Sequence, residues 1–221
     1  MIACLYDVHG NLPALEAVLA DAGDVDRYIL GGDYALFGGW PGETVARLRE
    51  LEPATWIRGN VDRWTADPPD ELREPVEAVR AELGDALVAE LAALPATAED
   101  GDLLICHGSP LSDVRSFQPE PADDEGELLA GVTASRLLFG HTHLQFRRMS
   151  GAIELINPGS VGVPLDGDHR AAYALLHDDG RLEHRRVAYD HMASAAKLRS
   201  FGGDWADVIA RRIERARVED S

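Results

Sequence analysis

Five short motifs, each close behind an apolar run, constrain this chain more than any other feature. They are DVHGN with Asp7 and His9, GGD with Asp33, GNVD with Asn60, CHGSP with His107, and GHTH with His141 and His143. One histidine behind an apolar stretch reads as a hydrogen-bonded residue near a strand end. Five such motifs in succession form a pattern. Parallel strands deliver their C-terminal ends to one edge of a sheet, so residues distant in sequence can meet there. Three carboxylate or amide oxygens and four imidazoles suit two divalent cations that share a bridging carboxylate. The pattern points to a dinuclear metal hydrolase.

A length of 221 residues suffices for one core and favours a single domain over residues 1–221. Apolar content of 45% and charged content of 27% are ordinary for a soluble globular protein. No apolar run approaches the ~20 residues that span a bilayer, so no membrane partner is expected. No basic stretch or cleavage-like site marks the N-terminus as a secretory signal. Cys4 and Cys106 both lie in apolar runs. They suit buried thiols in a reducing, cytoplasmic setting better than a disulfide. The net charge of −18 argues against extended nucleic acid as a partner. Arg211, Arg212, Arg215 and Arg217 read as the solvated face of a terminal helix. Small phosphoesters remain open, because a metal binds phosphate locally whatever the global charge.

The first half alternates strand and helix patterns, predicting an α/β fold with βαβ units. Residues 2–6, 27–31 and 55–58 read as strands, with helices after Asn11 and over Glu43–Leu51. Residues 71–93 read as a long helical stretch interrupted near Pro75. DLLICHGSP and ASRLLFGHTH are further strands that end in histidines. The acidic run at 123–127 reads as a solvated loop, with a mobile lid as the alternative. GAIELINPGSVG, AAYALLHDD and RLEHRRVAY look like strands joined by tight turns, including HDDG at 177–180. A helical segment follows over about 193–217, where Leu198, Phe201, Trp205 and Ile209 pack on the body of the chain or form a subunit contact, the former preferred.

Asp7 and His9 are two apart, which places both on one face if extended geometry persists past the strand. The same spacing applies to His141 and His143. Asp33, with two carboxylate oxygens, is the natural bridge. Asn60 alone would be a plain turn residue, and the surrounding pattern promotes it. Asn11 divides between capping a helix and contacting substrate, with capping ahead. Arg58 and Arg63 bracket GNVD and could reach a phosphate, or pair with Asp62. Phe37, Trp40 and Trp64 could form an aromatic wall or simply pack their loops.

The ordered set DxHGN, GGD, GNxD, HGSP, GHTH and NPGSVG resembles the calcineurin-like metallophosphoesterase superfamily, and within it the compact bacterial and archaeal YfcE-like phosphodiesterases. The match runs from about Ile2 to Val163. The resemblance implies a four-layer αββα sandwich of two mixed β-sheets flanked by helices. It implies one cation on Asp7, His9, Asp33 and His143 and a second on Asp33, Asn60, His107 and His141. Asp33, Asn60 and His141 are the implied catalytic positions, with Asn11, Asn60 and Arg58 as candidate substrate contacts. NPGSVG is implied to be a closing turn. Many superfamily members carry His directly after the motif Asn; here that position is Val61, which cannot protonate a leaving oxygen. General acid catalysis is worth about 10²–10⁴-fold, so turnover should depend strongly on the leaving group.

A hydroxide bridging two cations would be the nucleophile, with no serine or cysteine required. Mixed N/O ligation fits Mn²⁺, Fe²⁺, Zn²⁺, Co²⁺ or Ni²⁺, and Mn²⁺ is the metal the resemblance suggests for assay. The leading expectation is a phosphodiesterase acting on a small, nucleotide-like phosphoester. A phosphomonoesterase or dinucleoside polyphosphate hydrolase, and a non-catalytic protein-binding scaffold, are the competing readings.

Overall fold

A computed structural model describes residues 1–218. Residues 219–221, the end of the expected domain and just past the expected C-terminal helical segment, lie outside the described residues. The chain order begins β1 (Ile2–Leu5), α1 (Leu12–Ala22), β2 (Arg27–Leu30), α2 (Pro41–Leu48), β3 (Ala54–Trp56), α3 (Asn60–Ala66), α4 (Arg73–Leu83) and α5 (Asp85–Ala92). It continues with β4 (Thr97–Asp100), β5 (Leu103–Cys106), α6 (Glu125–Leu128), β6 (Arg136–Leu138), β7 (Gln145–Ser150), β8 (Ile153–Pro158), β9 (Ala171–Leu176) and β10 (Leu182–Val187). Helices α7 (His191–Arg199) and α8 (Gly203–Arg215) close the described chain.

The strands form two five-stranded mixed sheets, ordered β10-β9-β1-β2-β3 and β4-β5-β6-β8-β7. β1, β2 and β3 run parallel, as do β5, β6 and β8, and antiparallel strands flank each group. Strand alternation sorts the side chains into layers. Ile2 and Cys4 of β1 meet Leu103 and Ile105 of β5, Leu138 and Ile156 between the sheets. Ala3 and Leu5 turn the other way, onto Leu15, Val18, Leu48 and Val79 of the helices. On the far side of the second sheet, Leu104, Cys106 and Leu137 pack under Phe117, Leu128 and Phe139. This is the αββα sandwich. Both cysteines are buried and free.

Some local readings need correction and others hold. The stretch 71–93 breaks at Gly84 (φ +76°), not at Pro75, which sits in the first turn of α4 where its missing N–H costs nothing. Asn60 is not the turn residue it would be if read alone, because it opens α3. Strand β7, QFRRMS, was hidden by its polar composition; it pairs with β8 over the full length Gln145–Ser150. The acidic run is anchored: Glu125 is buried and pairs with Arg148, while Ser150 Oγ donates to it at 2.9 Å. The turn at 177–180 closes the β9–β10 hairpin, with Gly180 N–H donating to His177 O at 2.9 Å. The C-terminal pair α7–α8 packs within the chain, burying Leu198 and Ile209 beside Val163.

Candidate active site

The parallel strands β1, β2, β5 and β6 all end at one edge, so the loops behind them converge. Asp7 and His9 follow β1, Asp33 follows β2, His107 follows β5, and His141 and His143 follow β6. Asn60 enters at the start of α3. Backbone hydrogen bonds fasten these loops to one another. His9 N–H donates to Asp33 O at 2.8 Å, and Gly140 N–H to His107 O at 2.7 Å. The turn Asn157–Gly162 ties in as well, with Ser160 Oγ donating to Asp7 O at 2.8 Å.

The side chains reach one another by a route the strand argument did not foresee. Asp7 (φ 53°), His9 (φ 48°), Asp33 (φ 59°), His141 (φ 68°) and His143 (φ 60°) all lie in the left-handed region. Two-residue spacing therefore works through a left-handed turn, not through extended backbone. Each such conformation costs on the order of 1–3 kcal/mol for a residue with a Cβ, and this kind of strain clusters at functional sites. Room is equally tight at Gly59, where a Cβ would fall 2.0 Å from Asp33 Oδ1.

The polar atoms face inward. His9, His107 and His143 each set Nδ1 against a backbone carbonyl, of Leu36 (2.9 Å), Gly31 (2.9 Å) and Val163 (2.5 Å) respectively. Committing Nδ1–H outward leaves each Nε2 lone pair for the cluster, the usual arrangement behind a metal-binding histidine. His143 Nε2 lies 3.4 Å from Asp7 Oδ1, and His107 Nε2 lies 3.3 Å from Asp33 Oδ2. His9 Nε2 is 3.8 Å from Asp33 Oδ2 and 3.1 Å from His143 Nε2. The inward end of the Asn60 amide lies 2.9 Å from both His107 Nε2 and His141 Nδ1. As an NH2 group that end donates to both rings; as an oxygen it faces only lone pairs, a situation a cation resolves.

These residues fit a metal. Asp7 Oδ1 is a buried oxygen without a hydrogen-bond donor among the described residues. Two groups, Asp7–His9–His143 and Asp7–Asp33–His107, each bring their ligand atoms within 4.8 Å of one another. Asp7 is common to both, and Asp33 Oδ2 also lies between His9 and His107, so either carboxylate can span two positions.

The profile of the calcineurin-like phosphoesterase superfamily domain matches residues 1–181. The chain belongs to that superfamily. This phosphoesterase is 31% identical to phosphodiesterase YfcE of Escherichia coli over 185 residues, covering 78% of this chain and 85% of that protein. It is 27% identical to protein MJ0912 of Methanocaldococcus jannaschii, covering 90% and 91% of the two chains. The crystal structure of a metallophosphoesterase from Sphaerobacter thermophilus superposes with a TM-score of 0.86 at 29% identity, covering 97% of this chain and 98% of that one. The protein is thus a hydrolase of phosphoester bonds in a metal-dependent family.

The other sequence candidates divide. Asn11 of the phosphoesterase is buried with its amide fully engaged: Oδ1 accepts from Ala14 N–H (3.4 Å) and Ser194 Oγ (3.0 Å), and Nδ2 donates to Gly162 O (2.8 Å). The first bond is the cap of α1; the other two tie that cap to α7 and to the Asn157–Gly162 turn. Arg58 donates to Ala92 O at 3.1 Å and lines a neighbouring cavity together with Arg63, His107 and Asp113. Arg63 pairs with Asp113 at 2.8 and 2.9 Å, not with Asp62. Asp62 instead accepts the N–H groups of Asp33 (2.8 Å), Tyr34 (3.0 Å) and Gly59 (2.8 Å). The sequence signal for this anchoring role is a carboxylate at the third position of α3, behind its cap Gly59.

A cavity of about 180 Å³ opens onto the cluster, lined by His9, Asp33, Asn60, His141 and His143 on one side. Phe37, Val61, Trp64, Val163, Leu165, Ile209 and Arg212 form the remainder. Phe37 and Trp64 therefore stand in the wall as an aromatic pair could, whereas Trp40 precedes α2 outside it. The sequence places Arg212 on a solvated helix face, whereas the structure puts it at this site. A larger cavity, about 500 Å³ between Glu99 and Ser135, contains none of the cluster.

Electrostatics divides the imidazoles. Burial opposes charge on His107, but Asp33 and Asp7 outweigh it and raise its pKa to about 10. His143 is raised as well, by Asp7 against burial. His9 is pushed down to about 4 by burial and by His143. Burial and His107 lower His141. The carboxylates of Asp7 and Asp33 are held low by the same imidazoles against their burial. Cations entering the cluster would compete with protons for the same lone pairs.

Proposed function

We propose that the protein is a phosphodiesterase whose centre holds two divalent transition-metal ions, with Mn²⁺ the metal of choice in vitro and Fe, Zn, Ni or Co alternatives. Asp7, His9, Asp33 and His143 would hold one ion, and Asp33, Asn60, His107 and His141 the other. The observation that carries this reading is the convergence of seven potential ligand side chains around Asp7 Oδ1, a buried oxygen without a hydrogen-bond donor among the described residues. Likeness to a protein named as a phosphodiesterase supports the diester preference. Such ions supply a water of lowered pKa and neutralise charge on the phosphoryl oxygens.

The chain's own residues supply placement. Outward Nδ1–H bonds fix three imidazole rings, and Asp62 fixes the backbone that carries Asp33. Val61 lines the cavity where a proton donor would assist the leaving oxygen, so esters with stable leaving anions are favoured. Phe37, Trp64, Val163 and Leu165 give the substrate's organic part an apolar wall, suited to a small aromatic or nucleotide-like ester. Buried free Cys4 and Cys106 agree with a reducing, cytoplasmic setting.

The test is hydrolysis of bis-p-nitrophenyl phosphate and of p-nitrophenyl phosphate by metal-stripped protein with Mn²⁺ restored. Metal-dependent turnover with the diester ahead supports the reading. A preference for the monoester moves it to a phosphomonoesterase. Silence on both with every divalent metal, in folded protein, would leave a narrow substrate or a protein-binding scaffold.

A further inference from the structure

Residues 1–181 match the superfamily domain, and α7–α8 lie beyond that match. Yet α8 reaches the site. Ala206, Ile209, Ala210 and Ile213 form its buried stripe, at the 3–4-residue spacing of one helix face. Together they pack with Val163, Leu198 and the partly buried Phe37 and Leu165. Arg199 of α7 braces the pair by donating to Asp207 and Glu214 of α8, each at 2.9 Å. This packing fixes where the flank of α8 falls, and Ile209 and Arg212, one turn apart, line the cavity over the cluster.

Arg212 stands out in its surroundings. The chain has 39 acidic against 21 basic residues, so carboxylates are plentiful. Its neighbour Arg211 pairs with Asp207, and Arg199 pairs with Asp207 and Glu214. Among the described residues the half-buried side chain of Arg212 makes no hydrogen bond or ion pair. A guanidinium held at the wall of a cavity without a partner among the described residues is placed to receive an anion from outside, and its planar fork matches phosphate oxygens.

We infer that Arg212 is a substrate-binding residue contributed by the C-terminal helix, and that it contacts an anionic oxygen of the phosphoester. The inference rests on the phosphoesterase site described above. It makes α8 the part of this chain that adds substrate recognition to the shared metal-binding edge. Arg212 touches no proposed metal ligand in a bonded sense, so its loss should leave metal loading intact.

The experiment uses the full chain loaded with Mn²⁺, as wild type, Arg212→Ala, Arg212→Gln and Arg211→Ala. Calorimetric titration with inorganic phosphate is read beside metal content, melting midpoint and kcat/KM on bis-p-nitrophenyl phosphate. A charge-assisted hydrogen bond corresponds to about 10–100-fold in affinity, so both Arg212 variants should bind phosphate at least tenfold more weakly. Their metal content and midpoint should match wild type, as should all properties of Arg211→Ala. Added guanidinium ion should restore part of the turnover of Arg212→Ala, which loss of mere packing would not allow. Wild-type phosphate affinity in the folded Arg212 variants overturns the inference and leaves the diesterase reading untouched. Phosphate binding that needs Arg212, in a wild type without turnover, upholds the inference and removes the diesterase reading. No phosphate binding by wild type overturns the inference outright.

Discussion

Asp62 holds Asp33 in place: its Oδ2 accepts the Asp33 backbone N–H at 2.8 Å, while the same oxygen accepts Gly59 N–H at 2.8 Å and Oδ1 takes Tyr34 N–H at 3.0 Å. One buried carboxylate thus fastens the loop after β2 to the start of α3, where Asn60 sits. Burial first, then the charge of Asp33, raise the Asp62 pKa to about 7 against the pull of those three N–H bonds. Replacing Asp62 with Ala strands three buried donors, each worth about 1–3 kcal/mol. We expect Asp62→Ala to lose at least ~3 kcal/mol in denaturant unfolding and to bind Mn²⁺ weakly. Asp62→Asn, which keeps one acceptor oxygen, should fall between it and wild type.

The charge pattern of the metal-stripped protein sets its pH response. His107 has a folded pKa near 10 against an ordinary value of 6.5. Above 6.5 the folded state holds a proton that the unfolded state has released, so stability falls as pH rises. That contribution is complete below pH 6.5 and lost through about pH 10. The melting midpoint of metal-stripped protein should therefore drop across this window, and Mn²⁺ affinity should rise, because binding displaces the proton. His107→Gln should flatten the stability profile.

The acidic segment around Glu125 tests strap against lid. Glu125 and Arg148 are both largely buried, with side-chain exposures of 9% and 14%. Removing one member of a buried pair costs about 3–5 kcal/mol through the charge left behind. Glu125→Ala should destabilise the fold by roughly that amount in thermal or denaturant unfolding, with kcat on an activated diester unchanged. A gain or loss in kcat at unchanged stability would instead mark the segment as a lid.

Much of this architecture is legible in the sequence because apolar runs and the residues ending them are local signals. The runs at 2–5, 27–30, 103–106 and 136–138 name the strands, and parallel order brings Asp7, Asp33, His107 and His141 to one edge. Less legible is what depends on backbone conformation or on distant partners. No local signal shows that Asp7 and His9 meet through φ near +50°. Strand β7 carries Gln145, Arg148 and Ser150 at half-buried positions where they bond to Pro158 O and Glu125, partners distant in sequence, so its composition conceals it. Asn11 has an amide that suits either a cap or a ligand, and its partners Ser194 and Gly162 lie too far along the chain to be read locally. Arg212 could have been noticed from Ile209 one turn earlier on the apolar stripe of α8, yet nothing local says what that flank faces.

The most direct measurement is a titration of Mn²⁺ into metal-stripped protein, counting bound ions per chain while following hydrolysis of bis-p-nitrophenyl phosphate, with Asp33→Ala and Asn60→Ala in parallel. The account predicts two ions per wild-type chain, activity that appears with the second, and loss of at least one site and of turnover in each variant. A single bound ion sufficient for full activity, or variants that keep both ions and turnover, would contradict it.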